Sequence, residues 1–498
     1  MATPMDSLAP RALWRYFAKI CAIPHGSGNE KALGEAIVGW IHEKGFEAEI
    51  DEVGNVIASI PATKGYEDAP TVVLQGHIDM VCEKNSDTEF NFETDPIVTE
   101  RDGDWLTAKG TTLGADNGIG VATGLAFLDL PELVHGPLEI LMTIDEERGL
   151  VGAVNLKPDF VKGRMLFNLD SEEDGVFYVG CAGGRDALIN LPLEKMKTPD
   201  AAAAYQVKVE GLRGGHSGLD IIHNRGNAIK LLARALGKVG EKIDLAIASL
   251  DGGDKHNAIP REARACVVFK ASELPAAEKI LKNELAGYRD EFARAEPDLT
   301  LSISPADKPD HLLNPVSGRK LLNLTLSLPH GVLAMSREMP GMVETSSNLA
   351  RVRTEDDSFT ILTSTRSSVA SATDGVIAAI IAAGDAVGAE VKPKEGYPGW
   401  KPNLDSKMLA AAREVWQEVH QAEARFEVIH AGLECGIIGE KYPGMDMISL
   451  GPTIQNPHSP DERVHIRSVL DFWNILKETL YSIYEGAGAD PELFRKEG

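Results

Sequence analysis

Apolar positions fall first at helical spacing, then in alternation, then in unbroken runs, an order that predicts an α/β chain. Leu13, Trp14, Phe17 and Ile20 recur every three to four residues, and Pro24 closes that helix. Leu33, Ile37, Trp40 and Ile41 mark a second helix over 30–44, with Gly45 as its stop. Residues 46–60 alternate and carry Gly54-Asn55, a hairpin signal. Runs at 71–77, 138–144 and 165–169 are apolar and unbroken, the pattern of buried parallel strands. The first ends in His77-Ile78-Asp79, the second in Asp145-Glu146-Glu147, the third in Asp170-Ser171-Glu172-Glu173. Side chains alternate along a strand, so His77 and Asp79 point to the same side. Three strands that each deliver acids or a histidine at their carboxyl ends predict one shared rim of a parallel sheet, where open α/β folds bind ligands.

Between the first two runs lie an irregular polar stretch (83–109) and the small-residue segment 110–120, which contains Asp116. Glycine there lets backbone pack close to a site. The segment lacks the Gly-Lys-Ser/Thr ending of a phosphate loop. After Asn190 the texture changes. A strand at 206–210, a loop carrying His216 and a helix through Leu236 are echoed by 358–364, a loop with Arg366, and 375–387, a weak sign of internal duplication. Residues 392–403, with three Pro and two Gly, read as a hinge. A helix over 407–421, a strand over 445–450 and a closing amphipathic helix over 469–484 follow. The expected architecture is a discontinuous α/β domain, 1–190 plus 390–498, with helices on both faces of a mixed sheet. An α+β lid, 191–389, is inserted into it and is long enough for two small sheet-and-helix units.

Composition narrows the partners. The 75 acidic residues exceed the 50 basic ones, for a net charge of −25, which argues against nucleic acid and anionic membrane surfaces. Five scattered cysteines without a CxxC pair read as reduced thiols. No signal-peptide pattern opens the chain, and no apolar run reaches the roughly 18 residues of a membrane span, so a cytoplasmic location is expected.

The candidate ligands are His77, Asp116, Glu146, Glu147, Asp170 and a late His458, fixed between Pro457 and Pro460. Asp79 is placed to orient the second nitrogen of His77. Two histidines with several carboxylates suit zinc, or its neighbours cobalt and manganese. A pair of divalent ions needs a bridging carboxylate, and a further acid beside them is what a general base requires.

Gln-Gly-His-Ile-Asp-Met, Gly-Ala-Asp-Asn-Gly, Asp-Glu-Glu, Asn-Leu-Asp-Ser-Glu-Glu, Gly-Gly-His-Ser-Gly, Asn-Ala-Ile-Pro-Arg, His-Ala-Gly-Leu-Glu-Cys-Gly and Pro-His-Ser-Pro-Asp-Glu occur in this order. Together, and across nearly the whole chain, they resemble the cytosolic aminoacyl-histidine dipeptidases, which hydrolyse β-alanyl-histidine (carnosine). These belong to a dizinc family that includes carboxypeptidase G. The resemblance implies two divalent ions, with Asp116 bridging them, His77 and Asp170 completing one, and Glu147 and His458 the other. It implies Glu146 as the general base toward a metal-bridging hydroxide, and His216 as a donor to the oxyanion, in cis or from a partner subunit across a homodimer. Asn257 and Arg366 are candidates for holding the substrate carboxylate and the intermediate. Glu434 is added on physical grounds, as an acid in a Gly-rich loop suited to a free amino group. Two alternatives stay open: a deacylase of N-acyl amino acids, which would not want an acid at 434, and a catalytically inactive metal-binding protein.

Overall fold

Parallel pairing gathers the site. In this computed structural model, which describes residues 4–130 and 133–489, the strands Glu47–Ile50 (β1), Val56–Ile60 (β2), Val72–His77 (β3), Leu138–Thr143 (β4) and Met165–Asn168 (β5) lie in the order β1-β2-β4-β3-β5. The sheet continues through Asp446–Ser449, Val176–Cys181 and Arg425–Ile429. β3 runs parallel to β4 on one side and β5 on the other, with His77 opposite Thr143 and Gln75 opposite Asn168. Every residue of β3, β4 and β5 is buried, which is why these strands read as unbroken rather than alternating runs. The antiparallel β1–β2 hairpin turns at 51–55, and Asp51 Oδ1 accepts the N–H groups of Val53, Gly54 and Asn55.

The polar stretch expected to be irregular contains a hairpin, Thr99–Asp102 with Trp105–Ala108. It belongs to a small sheet with Ile454–Gln455 and Arg463–His465. Strands this short leave too few positions for a period to register. The strand Val176–Cys181 is likewise not among the expected elements.

The polypeptide divides into two compact units. The first comprises 1–180, 400–428 and 433–498, and the second 181–399 and 429–432; the outermost residues of the first, 1–3 and 490–498, lie outside the described residues. The inserted unit thus begins before 191 and ends after 389. The reason is pairing: Gly183–Pro192 runs antiparallel to Ser358–Ser367 along its whole length, and Glu390–Pro393 pairs with its other edge. The second unit is built on a nine-stranded sheet, with two two-stranded ribbons besides, rather than on two similar sheet-and-helix halves. Arg366 sits in the strand Ser358–Ser367 rather than in a loop. The helix Ala228–Gly240 buries Ile229, Leu232, Leu236 and Val239 against this sheet, each such side chain contributing roughly 1.5–3 kcal/mol. Asn227 caps it by accepting from Ile229 N and Lys230 N. Among the described residues no helix is long and apolar enough to cross a membrane, and the cysteines form no disulfide.

Candidate active site and metal centre

The carboxyl ends of β3, β4 and β5 converge as the register requires. His77 Nε2 lies 3.2 Å from Asp116 Oδ1 and 3.3 Å from Asp170 Oδ1. Its other nitrogen, Nδ1, faces Asp79, 3.1 Å from the backbone carbonyl and 3.2 Å from Oδ1. That keeps a proton on Nδ1, donated to Asp79, and turns Nε2 toward Asp116 and Asp170 as the ligating nitrogen. On the far side of Asp116, Oδ2 lies 3.2 Å from His458 Nε2, which is also 2.8 Å from Glu147 Oε1. Asp116 therefore reaches one histidine with each oxygen.

Asp116 is held by the close fit of its neighbour. The Asp116–Asn117 peptide is cis. Asn117 Oδ1 accepts the N–H of His77, and its Nδ2 donates to Leu169 O at 2.6 Å. A Cβ at Gly76 would stand 2.2 Å from Asn117 Oδ1, and one at Gly120 2.5 Å from Leu169 O, so these two positions admit only glycine. Asn117 thus ties the ends of β3 and β5 to the residue that lies between the histidines.

Two sets of donors, His77–Asp116–Asp170 and Asp116–Glu147–His458, each gather within 4.8 Å, as does His77–Glu146–Glu147. Glu147 Oε1 is buried and, among the described residues, has no well-aligned hydrogen-bond donor, although His458 Nε2 is 2.8 Å away. A buried carboxylate oxygen left without a hydrogen bond among gathered donor atoms fits a cation site. Electrostatics agree. Burial opposes a charge on His77, but Asp170 and Asp116 outweigh it and hold its pKa well above the ordinary value. The Asp116 and Glu147 carboxylates beside it push His458 up to about 11, against the cost of burial. Burial raises Asp170 to about 7, with Asp116 and Glu434 adding to it against the pull of His77. A site that holds protons on its histidines and its acids is short of positive charge.

Asp145, Glu146 and Glu147 part ways. Asp145 is drawn off by Arg148, through bonds of 2.6 and 2.9 Å. Glu147 faces His458. Burial holds the Glu146 carboxyl well above its ordinary pKa, with Asp170, Glu434 and Glu147 adding to it against His77. Such a carboxyl binds a proton more readily than an ordinary glutamate, which suits a general base.

Glu434 is not in a loop. It is the first residue of the helix Glu434–Lys441 and is fully buried. Oε2 accepts from Gln75 Nε2 at 2.5 Å and Thr143 Oγ1 at 2.7 Å, while Oε1 has no partner among the described residues. Gln75 Oε1 accepts in turn from Asn168, and Asn168 Oδ1 from Ser449 Oγ. This polar row crosses the sheet beneath the ligands and was missed in the sequence, where Gln75 and Asn168 stand inside apolar runs.

The second unit carries its own cluster. His216 Nδ1 accepts from Gly218 N at 3.2 Å and Leu219 N at 3.1 Å, so its proton belongs on Nε2. Burial and the Arg366 charge hold its pKa below the usual value, keeping it neutral. Asn257 O accepts from Ser217 N. Arg366 is buried, Nη1 donates to Tyr397 Oη at 2.8 Å, and Nε has no acceptor among the described residues. His430 Nε2 pairs with Ser346 Oγ at 2.8 Å. Tyr397 and Ser346 carried no signal in the sequence.

Residues 73–482 match the model of peptidase family M20/M25/M40. The chain belongs to this family. It is 43% identical over 479 residues to the cytosol non-specific dipeptidase of Escherichia coli (strain K12), covering 96% of this chain and 99% of that protein. It superposes on the crystal structure of aminoacylhistidine dipeptidase from Vibrio alginolyticus with a TM-score of 0.92 at 41% identity, covering 96% of this chain and 98% of that one. The aminopeptidase PepT of Bacillus cereus ATCC 10987 shares the fold, with a TM-score of 0.56 at 15% identity over 96% of this chain and 99% of that one.

Proposed function

We propose that this M20 peptidase is a metal-dependent dipeptidase of the cytosol that cleaves small peptides with a free amino terminus, aminoacyl-histidine dipeptides such as β-alanyl-histidine among them. The observation that carries the reading is Asp116, whose two oxygens each meet a different histidine at 3.2 Å. The likeness to two dipeptidases over nearly the full chain supports the substrate class.

His77, Asp116 and Asp170 would hold one divalent ion, and Asp116, Glu147 and His458 a second. The donor set suits zinc, with cobalt or manganese able to substitute. Bound there, the pair supplies Lewis acidity for the scissile carbonyl and for a water. Glu146 takes the proton of the attacking water on its carboxylate and passes it to the leaving amine. Asp79 fixes the His77 tautomer. His216, neutral and protonated at Nε2, donates to the developing oxyanion. Arg366, steadied by Tyr397, holds the substrate carboxylate, with Asn257 as a further polar contact. Glu434 Oε1 accepts the free amino group.

A dipeptide assayed beside its N-acetyl form tests the reading. Cleavage of the free dipeptide alone is expected; cleavage of the acetylated form alone would make the chain a deacylase.

A further inference from the structure

The helix Ala115–Ala126 begins at the metal centre without a cap of its own: its N-cap position is Gly114, and no side chain of the segment bonds back to its first turn. The missing acceptor comes from far along the chain. Glu462 is 2% exposed, and both of its oxygens are used. Oε2 accepts Leu113 N at 2.7 Å and Gly114 N at 3.0 Å, while Oε1 accepts Ala115 N at 2.8 Å and Asp116 N at 3.3 Å. One carboxylate accepts four successive backbone donors, those of Leu113 and Gly114 ahead of the helix and those of Ala115 and Asp116 in its first, kinked turn.

Glu462 is itself fixed. Its N–H donates to Ser459 O at 3.0 Å, and its carbonyl accepts Thr107 Oγ1 at 2.8 Å. The strand Arg463–His465, which starts at the next residue, pairs with Trp105–Ala108. His458 lies four residues before Glu462 in the same turn, at φ +59°. The carboxylate therefore joins the segment that supplies Asp116 to the segment that supplies His458, and the tips of those two residues meet at 3.2 Å.

We propose that Glu462 is a positioning residue for the metal centre: by clamping the backbone of 113–116 onto the 458–462 turn, it sets the spacing of Asp116 and His458 and so the affinity for the ion they share with Glu147. This rests on the metallopeptidase reading above. A plain helix cap would stabilise the fold and leave ion affinity untouched.

The test is a cobalt titration of the metal-free full-length chain, followed by calorimetry and visible absorption, with Tm measured alongside. Glu462→Gln keeps the shape but turns an amide NH2 toward two backbone donors. Glu462→Asp keeps the charge but falls one methylene short, and serves if the glutamine variant does not fold. The expected result is a tenfold or greater weakening of the weaker binding phase in Glu462→Gln, a smaller weakening in Glu462→Asp, and a changed spectrum for that phase. Wild-type affinity for both ions in a folded variant, with only Tm lowered, would overturn the proposal. Failure of the wild-type chain to take up cobalt would overturn the metal reading beneath it.

Discussion

Asp79 holds the backbone of Glu146: Oδ1 accepts the Glu146 N–H at 3.0 Å. The same carboxylate accepts Glu147 N at 3.3 Å and Ser27 Oγ at 2.8 Å, and lies 3.2 Å from His77 Nδ1. One acid thus orients a metal ligand and anchors the turn that carries the base. Asp79→Asn is expected to lower metal affinity by about 10–100-fold and to leave kcat depressed even at saturating metal, because the Glu146 turn has lost an anchor. Metal titration with kcat measured at saturation checks this; full recovery of kcat would reduce Asp79 to a tautomer-setting role.

Glu146→Gln removes the proton acceptor and keeps the shape. The expected outcome is a loss of roughly 10²–10⁴ in kcat with metal content unchanged by elemental analysis. An active glutamine variant would reassign the base.

Metal uptake should release protons. In the metal-free protein both histidines are held protonated at neutral pH, His77 by Asp170 and Asp116 against the cost of burial, and His458 by the Asp116 and Glu147 carboxylates beside it. A raised pKa means that the His458 contribution to metal-free stability is complete below its ordinary value of 6.5 and is lost as pH climbs through about 11. Ligation needs the neutral ring, so ion affinity rises with pH. Calorimetry at pH 7 in buffers of different ionisation enthalpy should report net proton release; none would mean that the histidines are not ligands.

Much of this site is legible in the sequence because its parts sit at strand ends. The runs ending in His77, Asp145-Glu146-Glu147 and Asp170 announce a shared rim through periodicity alone, and the His-x-Asp spacing puts Asp79 beside His77. What escapes are residues whose role depends on long-range contacts. Gln75 looks like a blemish in an apolar strand until Glu434 and Asn168 are brought to it across the sheet. Glu462 is the last residue of a motif noticed for its histidine. Tyr397 sits in a stretch read as a hinge. The change of texture after Asn190 does not mark the unit's edge, because Gly183–Pro192 already pairs with Ser358–Ser367 and Glu390–Pro393 in the second unit, and only pairing decides.

Glu434 tests substrate choice. If Oε1 receives the amino group, Glu434→Gln should raise KM for free dipeptides about tenfold or more, as expected for a lost hydrogen bond between charged groups, while kcat changes little. A fall in Tm with KM unchanged would make Glu434 a support for Gln75 and Thr143 only.

The most direct test of the whole account is histidine release from β-alanyl-histidine by the purified protein, before and after chelation, with zinc, cobalt or manganese then restored. The account predicts release that chelation abolishes and metal restores, with two ions bound per chain. Release that survives complete metal removal, or a protein that binds two ions and turns over no dipeptide, would contradict it.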